Sequence, residues 1–317
     1  MKFYLAPMEG ITGYVYRNAY HTYFGDVDKY FTPFIAPNKN QCLTSREKND
    51  ILPQHNKGLY VVPQILTNQA EHFIATTKVL EELGYQEVNL NLGCPSGTVV
   101  SKYKGSGFLA KKDELNQFLE QIYNTCDAKI SIKTRIGIDN PDEFYDLLEI
   151  YNQYPIEELI IHPRVRNDFY KNKPNWDMMR EAVQKSKNPL CYNGDIFAPG
   201  MYKKFKEVFP TIDTVMLGRG IIVDPNLAGE IKTGHQLDKI TLRKFHDTLL
   251  SGYQELLSGD KNVLFKMKEL WFYMIHVFSN HEKYAKKIKK SQSLNEYKTV
   301  LSNLFEEQEI VKADKRI

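Results

Sequence analysis

The stretch EVNLNLGCPSG, residues 87–97, runs a short strand-like segment, EVNLNL, into a Gly-Cys-Pro turn. A strand, a turn and a following helix make one βα unit, and the chain repeats that unit. Strand-like runs recur as FYLAPM (3–8), KYFTPF (29–34), YVVPQIL (60–66), KISIKTR (129–135), ELIIHP (158–163), PLCYNG (189–194) and DTVMLGRG (213–220). With EVNLNL they make about eight units before residue 232, the number that closes a parallel (β/α)8 barrel. The intervening segments carry helix signals. TNQAEHFIATTKVLEELG opens on Thr67 or Asn68 and stops at Gly84, and in NPDEFYDLLEIY Pro141 takes the first helical position after Asn140. After DPNLAGEI no strand-like run follows, and 237–311 reads as amphipathic helices rich in Lys, Leu and aromatics. The expected architecture is α/β: a TIM barrel over 1–236 followed by a smaller all-helical C-terminal domain over 237–317.

The 317 residues, 42% hydrophobic and 26% charged, suffice to bury a substantial core. The longest apolar runs are far too short to span a bilayer, and no secretory core follows Lys2, so a cytoplasmic protein with no membrane partner is expected. Cys42, Cys94, Cys126 and Cys191 are widely spaced, with neither a CxxC pair nor zinc-like Cys/His spacing. That suggests neither a disulfide framework nor a structural metal, and it fits a reducing compartment. Net charge is only +3, but Lys283, Lys286, Lys287, Lys289 and Lys290 crowd one short run, which points to a polyanionic partner.

In such barrels the chemistry lies on loops at the carboxyl ends of the strands. Here those ends are strongly polar: Pro7-Met8-Glu9-Gly10, Gln64, Asn91 and Cys94, Lys133 and Arg135, His162 and Arg164, Asn193-Gly194-Asp195, and Gly218-Arg219-Gly220. Polar groups inside apolar strands need partners, and their placement on one rim points to a shared ligand. Taken singly, Gln64 suits a hydrogen-bonded core amide, and His162 suits a structural histidine as well as it suits a ligand contact. Lys133 is harder to place without an anion, because lysine is almost never fully buried unpaired. The glycines and the arginine of NGD and GRG suit a phosphate, although glycine also serves tight turns.

Cys94 lies between Gly93 and Pro95, beyond its strand, where an accessible thiol is more natural than a packed one. As a nucleophile it would need a base, and His162, two strands away, is the rim candidate. A thiol with an ordinary pKa near 8.5 is mostly protonated at neutral pH, which also suits a general acid.

Taken together, APMEGITG, PQI, NLNLGCPS, KTRIG, IHPR, YNGD and LGRG, in this order and at barrel spacing, resemble the tRNA-dihydrouridine synthases of the bacterial, FMN-dependent type. The resemblance covers nearly the whole chain. It implies a flavin enzyme that reduces the C5–C6 bond of specific uridines in tRNA, with NADPH or NADH as electron donor. It further implies FMN across the barrel mouth, contacted by Pro7, Met8, Glu9 and Gln64, with Lys133 near the N1/O2 side and His162 facing the ring. Asn193, Gly194, Asp195, Gly218 and Arg219 would hold the ribityl chain and phosphate. Hydride would pass from flavin N5 to uracil C6 while Cys94 protonates C5, and Asn91 would help hold a base flipped out of the tRNA.

Arg164, Arg166 and Lys171 of HPRVRNDFYKNKPNW are expected to meet tRNA phosphates, and HEKYAKKIKK and FKMKELWFYM to form part of a tRNA-binding helical domain. A solvated lysine face beside a packed aromatic core would give the same pattern. The segment GTVVSKYKGSGFLA departs from the glycine-rich stretch of many relatives and brings Lys102 and Lys104 into a loop expected to close over substrate. A monomer without metal is expected. Two other readings stand beside this one. The first is an FMN barrel of the dihydroorotate dehydrogenase type acting on a free pyrimidine, and the second is a non-catalytic RNA-binding protein.

Overall fold

A computed structural model describes residues 1–311. The last six residues of the segment expected to be helical, 312–317, lie outside the described residues. Two compact units emerge. The first comprises Met1–Glu9, Asp28–Asp195 and Phe209–Met216; the second comprises Gly10–Val27, Ile196–Val208 and the chain from Leu217 onward.

The first unit holds the barrel expected from the sequence. Its strands are β1 (Lys2–Leu5), β2 (Lys29–Phe31), β3 (Val61–Val62), β4 (Gln64–Ile65), β5 (Glu87–Leu92), β6 (Lys129–Arg135), β7 (Leu159–His162), β8 (Leu190–Tyr192) and β9 (Thr214–Leu217). They form one nine-stranded sheet in the order β3-β2-β1-β9-β8-β7-β6-β5-β4, and every registered pair is parallel.

The two end strands, β3 and β4, are halves of the single expected strand YVVPQIL, divided at Pro63. Proline has no N–H to give to a ladder, so pairing changes partner there. Val61 and Val62 pair with β2, while Gln64 and Ile65 pair with β5. Backbone hydrogen bonds from Ile35 N–H to the Gln64 carbonyl at 2.7 Å and from Asn89 N–H to the Pro63 carbonyl at 2.9 Å carry the pairing across the break. Tyr4, Ala6, Phe31, Val62, Ile160, Cys191 and Met216 form a buried core cluster of the barrel. Several strands end earlier than the sequence runs suggested, which places Pro7, Met8, Glu9, Asn193 and Gly194 in the loops that follow.

Within the second unit the helices Tyr14–Tyr23 and Lys239–Leu256 pack closely. Tyr16 meets Phe245 edge-on at 5.6 Å, and a Cβ on Gly252 would stand 2.7 Å from Val15 Cγ1. Further helices follow at Asp260–Met274, Glu282–Lys290 and Leu294–Glu307. Trp271 is only 2% exposed and packs against Phe278 and Phe305, so this aromatic of FKMKELWFYM belongs to the core. Phe265 and Phe272 on the same helix are 62% and 70% exposed. The lysines of HEKYAKKIKK face solvent on the Glu282–Lys290 helix, while Tyr284 and Ile288 are buried.

Candidate active site

A line of amides runs up the barrel interior to the turn that carries Cys94. Ser131 Oγ donates to the Val88 carbonyl at 3.4 Å, and Asn89 Nδ2 donates to Ser131 Oγ at 3.0 Å. Gln64 Nε2 donates to Asn89 Oδ1 at 2.7 Å, and Asn91 Nδ2 donates to Gln64 Oε1 at 2.6 Å. Asn91 Oδ1 then accepts the N–H groups of Gly93 and Cys94, both at 3.0 Å. One end of this chain is a carbonyl, which only accepts, and the other is a pair of backbone N–H groups, which only donate. The orientation of every amide between them is therefore fixed. Gln64 and Asn91 are each left with one further N–H to offer a ligand.

Beside the turn stands Lys133, its Nζ 3.9 Å from where a Cβ on Gly93 would be. The ammonium makes no hydrogen bond or ion pair with any described residue. Burial, reinforced by the Arg135 guanidinium, lowers its pKa to about 8. A half-buried cation without a carboxylate is the arrangement a bound anionic group would complete. The Cys94 thiol is half-buried, and burial raises its pKa; the Ser96 backbone N–H, Lys133 and Arg135 work against that rise, and Glu9 adds to it. The thiol is thus held in its protonated form at neutral pH, with two cations near enough to steady a thiolate once the proton has left.

Arg135 was noted at its strand end in the sequence, but its task was not legible there. Its Nε donates to the Gly93 carbonyl at 3.0 Å, Nη1 to Val165 at 2.9 Å and Nη2 to Phe169 at 3.0 Å. One buried guanidinium thereby ties the Cys94 turn to the loop after β7. Its carbon also lies 5.5 Å from the centre of the Tyr170 ring, which is 51% exposed and stacks 5.9 Å from His162. Phe169 and Tyr170 are exposed aromatics of this mouth that went unflagged among the charges of HPRVRNDFYKNKPNW.

Arg164 is placed differently from the expectation that it meets tRNA phosphates. It is 1% exposed, and its guanidinium pairs bidentately with Asp195, through Nη1 to Oδ1 at 3.1 Å and Nη2 to Oδ2, while Nε donates to the Asn172 carbonyl at 2.6 Å. Nη1 also lies 3.0 Å from His162 Nε2. Because a guanidinium only donates, that nitrogen must accept, and the neutral ring carries its proton on Nδ1. Arg166 is partly exposed and donates to Asn167 Oδ1 at 2.8 Å.

Pro7 and Met8 are half-buried at the end of β1, and the exposed Glu9 pairs with Arg46. Asn193 Nδ2 holds the Met216 carbonyl at 2.9 Å. Gly194 admits no side chain, since a Cβ would fall 2.0 Å from Tyr192 Oη. Gly218 and Arg219 belong to the second unit, where Gly218 precedes the helix Arg219–Val223 and the Arg219 guanidinium lies 5.4 Å over the Phe197 ring. The loop after Cys94 is tied back on itself. Ser106 donates to the Cys94 carbonyl through N–H at 3.1 Å and Oγ at 2.8 Å. No group of three or more His, Cys, Asp or Glu that could hold a metal occurs among the described residues.

The family model described as dihydrouridine synthase matches residues 4–316. The chain is 28% identical over 288 residues to the tRNA-dihydrouridine(16) synthase of Vibrio vulnificus, covering 86% of this chain and 87% of that one. It is 27% identical over 258 residues to the tRNA-dihydrouridine(16) synthase of Pseudomonas putida, covering 78% and 79%. The tRNA-dihydrouridine synthase B of Pasteurella multocida is 25% identical over 242 residues, covering 76% and 72%. Among solved structures, morphinone reductase in complex with tetrahydroNAD superposes with a TM-score of 0.53 at 12% identity, covering 77% of this chain and 90% of that one. Histamine dehydrogenase from Rhizobium sp. 4-9 gives 0.55 at 11% identity, covering 78% and 49%. At these identities the structural likeness concerns the barrel fold alone.

Proposed function

The chain belongs to the dihydrouridine synthase family, and we propose that it reduces the C5–C6 bond of uridines in tRNA with FMN as cofactor and NADPH, or NADH, as electron donor. The observation that carries the reading is the pairing of a protonated thiol, Cys94, with an uncompensated cation, Lys133, on adjacent strand ends. When bound, FMN supplies the hydride that reaches uracil C6.

The chain's own groups do the rest. Lys133 supplies the positive charge that an anionic reduced ring needs, which the Lys133 ammonium, lacking any carboxylate partner, is suited to do. Gln64 and Asn91 offer N–H donors whose direction the amide line fixes. His162, neutral with its proton on Nδ1, faces the same mouth. Pro7, Met8 and Glu9 are assigned to one edge of the ring, and Asn193, Gly194, Asp195, Gly218 and Arg219 to the ribityl chain and phosphate. In the case of Asp195 the contact must coexist with its ion pair to Arg164.

Cys94 Sγ–H gives its proton to uracil C5, and Lys133 and Arg135 stabilise the thiolate left behind until solvent restores the proton. Asn91 holds the Cys94 turn as well as facing the substrate base. The exposed Tyr170 ring offers a stacking surface to a base lifted out of the tRNA. Arg166 and Lys171 remain candidates for phosphate contacts, as do the lysines of the Glu282–Lys290 helix within the proposed tRNA-binding region 237–317; Arg164 serves Asp195 instead.

The purified protein is expected to be yellow and to form dihydrouridine on unmodified tRNA while consuming NADPH. Reduction of free uracil or dihydroorotate but not tRNA would point to the free-pyrimidine enzyme. A colourless protein that binds tRNA without turnover would point to the non-catalytic binder.

A further inference from the structure

The loop that follows Cys94 carries an aromatic between two lysines at its tip, and nothing in the chemistry above uses it. We propose that Lys102, Tyr103 and Lys104 clamp the nucleotide next to the target uridine, with Tyr103 stacking on its base and the two lysines meeting its flanking phosphates. The proposal rests on the tRNA reading and adds a subsite to it.

The backbone gives the first indication. Tyr103 has φ +50°, a left-handed conformation that it shares only with Phe169 (+49°) and Asn280 (+45°) among the described non-glycine residues. An L side chain there is strained, and glycine would adopt the same turn freely. The strain is held by a tight set of hydrogen bonds: Lys102 N–H to Val99 at 3.1 Å, Tyr103 N–H to Val100 at 2.9 Å and Lys104 N–H to Val99 at 3.2 Å. It is not offset by burying the ring, which stays 52% exposed. A strained residue that presents its aromatic ring to solvent is displayed by its loop rather than packed.

Charge gives the second. Neither Lys102 nor Lys104 makes an ion pair or side-chain hydrogen bond with a described residue. Lys104 is half-buried, and its pKa is pushed down by burial and by the neighbouring Lys102 ammonium. A third cation, Lys111 Nζ, lies 5.1 Å over the Tyr103 ring. Lys111 is itself paired with Glu114 at 3.3 Å, which leaves Lys102 and Lys104, on either side of the exposed Tyr103 in the chain and without a carboxylate partner, to complement a phosphate–base–phosphate segment of a single strand.

Position gives the third. The tip is referenced to the thiol by the residues just after it. Gly105 has φ +56°, and a Cβ there would stand 2.9 Å from the Cys94 carbonyl and 3.0 Å from Cys94 Cβ; Ser106 adds its two hydrogen bonds to the same carbonyl. Two residues of chain reach at most about 7.6 Å, so the Tyr103 backbone is no farther than that from Gly105. Asn68 Nδ2 pins the tip from outside by donating to the Lys102 carbonyl at 3.1 Å. A base delivered to Cys94 therefore brings its neighbour in the strand to this tip.

The test uses the flavin-loaded protein and a tRNA pool from cells lacking it, on which wild-type turnover first establishes the tRNA reading independently. Tyr103→Ala should raise KM for that pool about tenfold, the loss of one base stack, while kcat falls less than twofold. Tyr103→Phe should stay within about twofold of wild type because it keeps the stacking face. Tyr103→Gly relaxes the backbone and removes the ring, so it should melt no lower than wild type and still show the raised KM. Replacing Lys102 and Lys104 together with alanine should flatten the dependence of log Kd on log salt by about 1.4, two single-strand phosphates' worth. A KM within twofold of wild type for Tyr103→Ala and Tyr103→Gly, a Tyr103→Phe as impaired as Tyr103→Ala, or an unchanged salt slope would overturn the clamp.

Discussion

At the scale of single residues the site turns on Lys133, and its environment makes a pH prediction with a definite sign. Burial, then Arg135, brings its pKa down to about 8 when no anion is beside it. A bound anionic ring would raise that pKa again, so binding above pH 8 must take up a proton and becomes weaker as pH rises. Affinity for the reduced, anionic flavin, measured anaerobically, should decline as pH rises above about 8. Lys133→Met should bind more weakly and lose the decline; parallel profiles for the two proteins would remove Lys133 from the cofactor site. Cys94, Lys133 and Gln64 stand out as candidates in the sequence because a polar residue in or just beyond an apolar strand is conspicuous. Arg135 in its true role was not, because its three acceptors lie 42, 30 and 34 residues away along the chain. Arg164 misled for a related reason: its partner Asp195 is 31 residues distant, and a sequence does not distinguish a buried arginine from a solvent-facing one.

Elements set the precision of the site. The amide line joins β4, β5 and β6, and its polarity can be tested by changing its two ends. Asn91→Asp can still accept from Gly93 and Cys94 but cannot donate to Gln64, so Gln64 and then Asn89 must turn over. That reversal ends at the Ser131 hydroxyl, which can rotate to donate to Asn89. Ser131→Ala removes this outlet, so the two substitutions, though not in contact, should couple by roughly 1 kcal/mol in kcat/KM for tRNA. Additivity within about 0.3 kcal/mol would mean that the line transmits nothing.

In the helical part of the second unit, His246 bridges Asp247 Oδ1 at 2.7 Å and Tyr297 Oη at 2.8 Å, close to Arg243 and Lys298, and burial lowers its pKa. The unfolded chain therefore takes up its proton first as pH falls, near 6.5, and stability is lost progressively from there down through the lowered folded value. Thermal midpoints measured between pH 7.5 and 5.5 should fall, and His246→Asn, although less stable throughout, should show a shallower fall. An identical slope would exclude His246 as its source. The strands were readable from repeated apolar runs, while Pro63's division of one strand and the early ends of several others needed the sheet itself. Along FKMKELWFYM the sequence could not say which aromatics face inward, because aromatic neighbours blur the 3.6-residue period.

Considered whole, the molecule combines a parallel barrel whose strand ends carry cations and one protonated thiol with a helical region rich in exposed lysines, on a chain with a net charge of only +3. The asymmetry of that charge, rather than its sum, matches a tRNA substrate. Which uridine is reduced is decided by how a folded tRNA is presented to the mouth, a geometric property that short motifs do not record. The most direct measurement is dihydrouridine formed on tRNA from cells lacking this protein, with NADPH present, by wild type and by Cys94→Ala matched for flavin content. Wild type should convert its target uridines, and the variant should bind the same flavin, reduce it at the same rate and form product at least about 100-fold more slowly, as loss of a general acid requires. Undiminished product formation by Cys94→Ala would contradict the assignment of the proton donor.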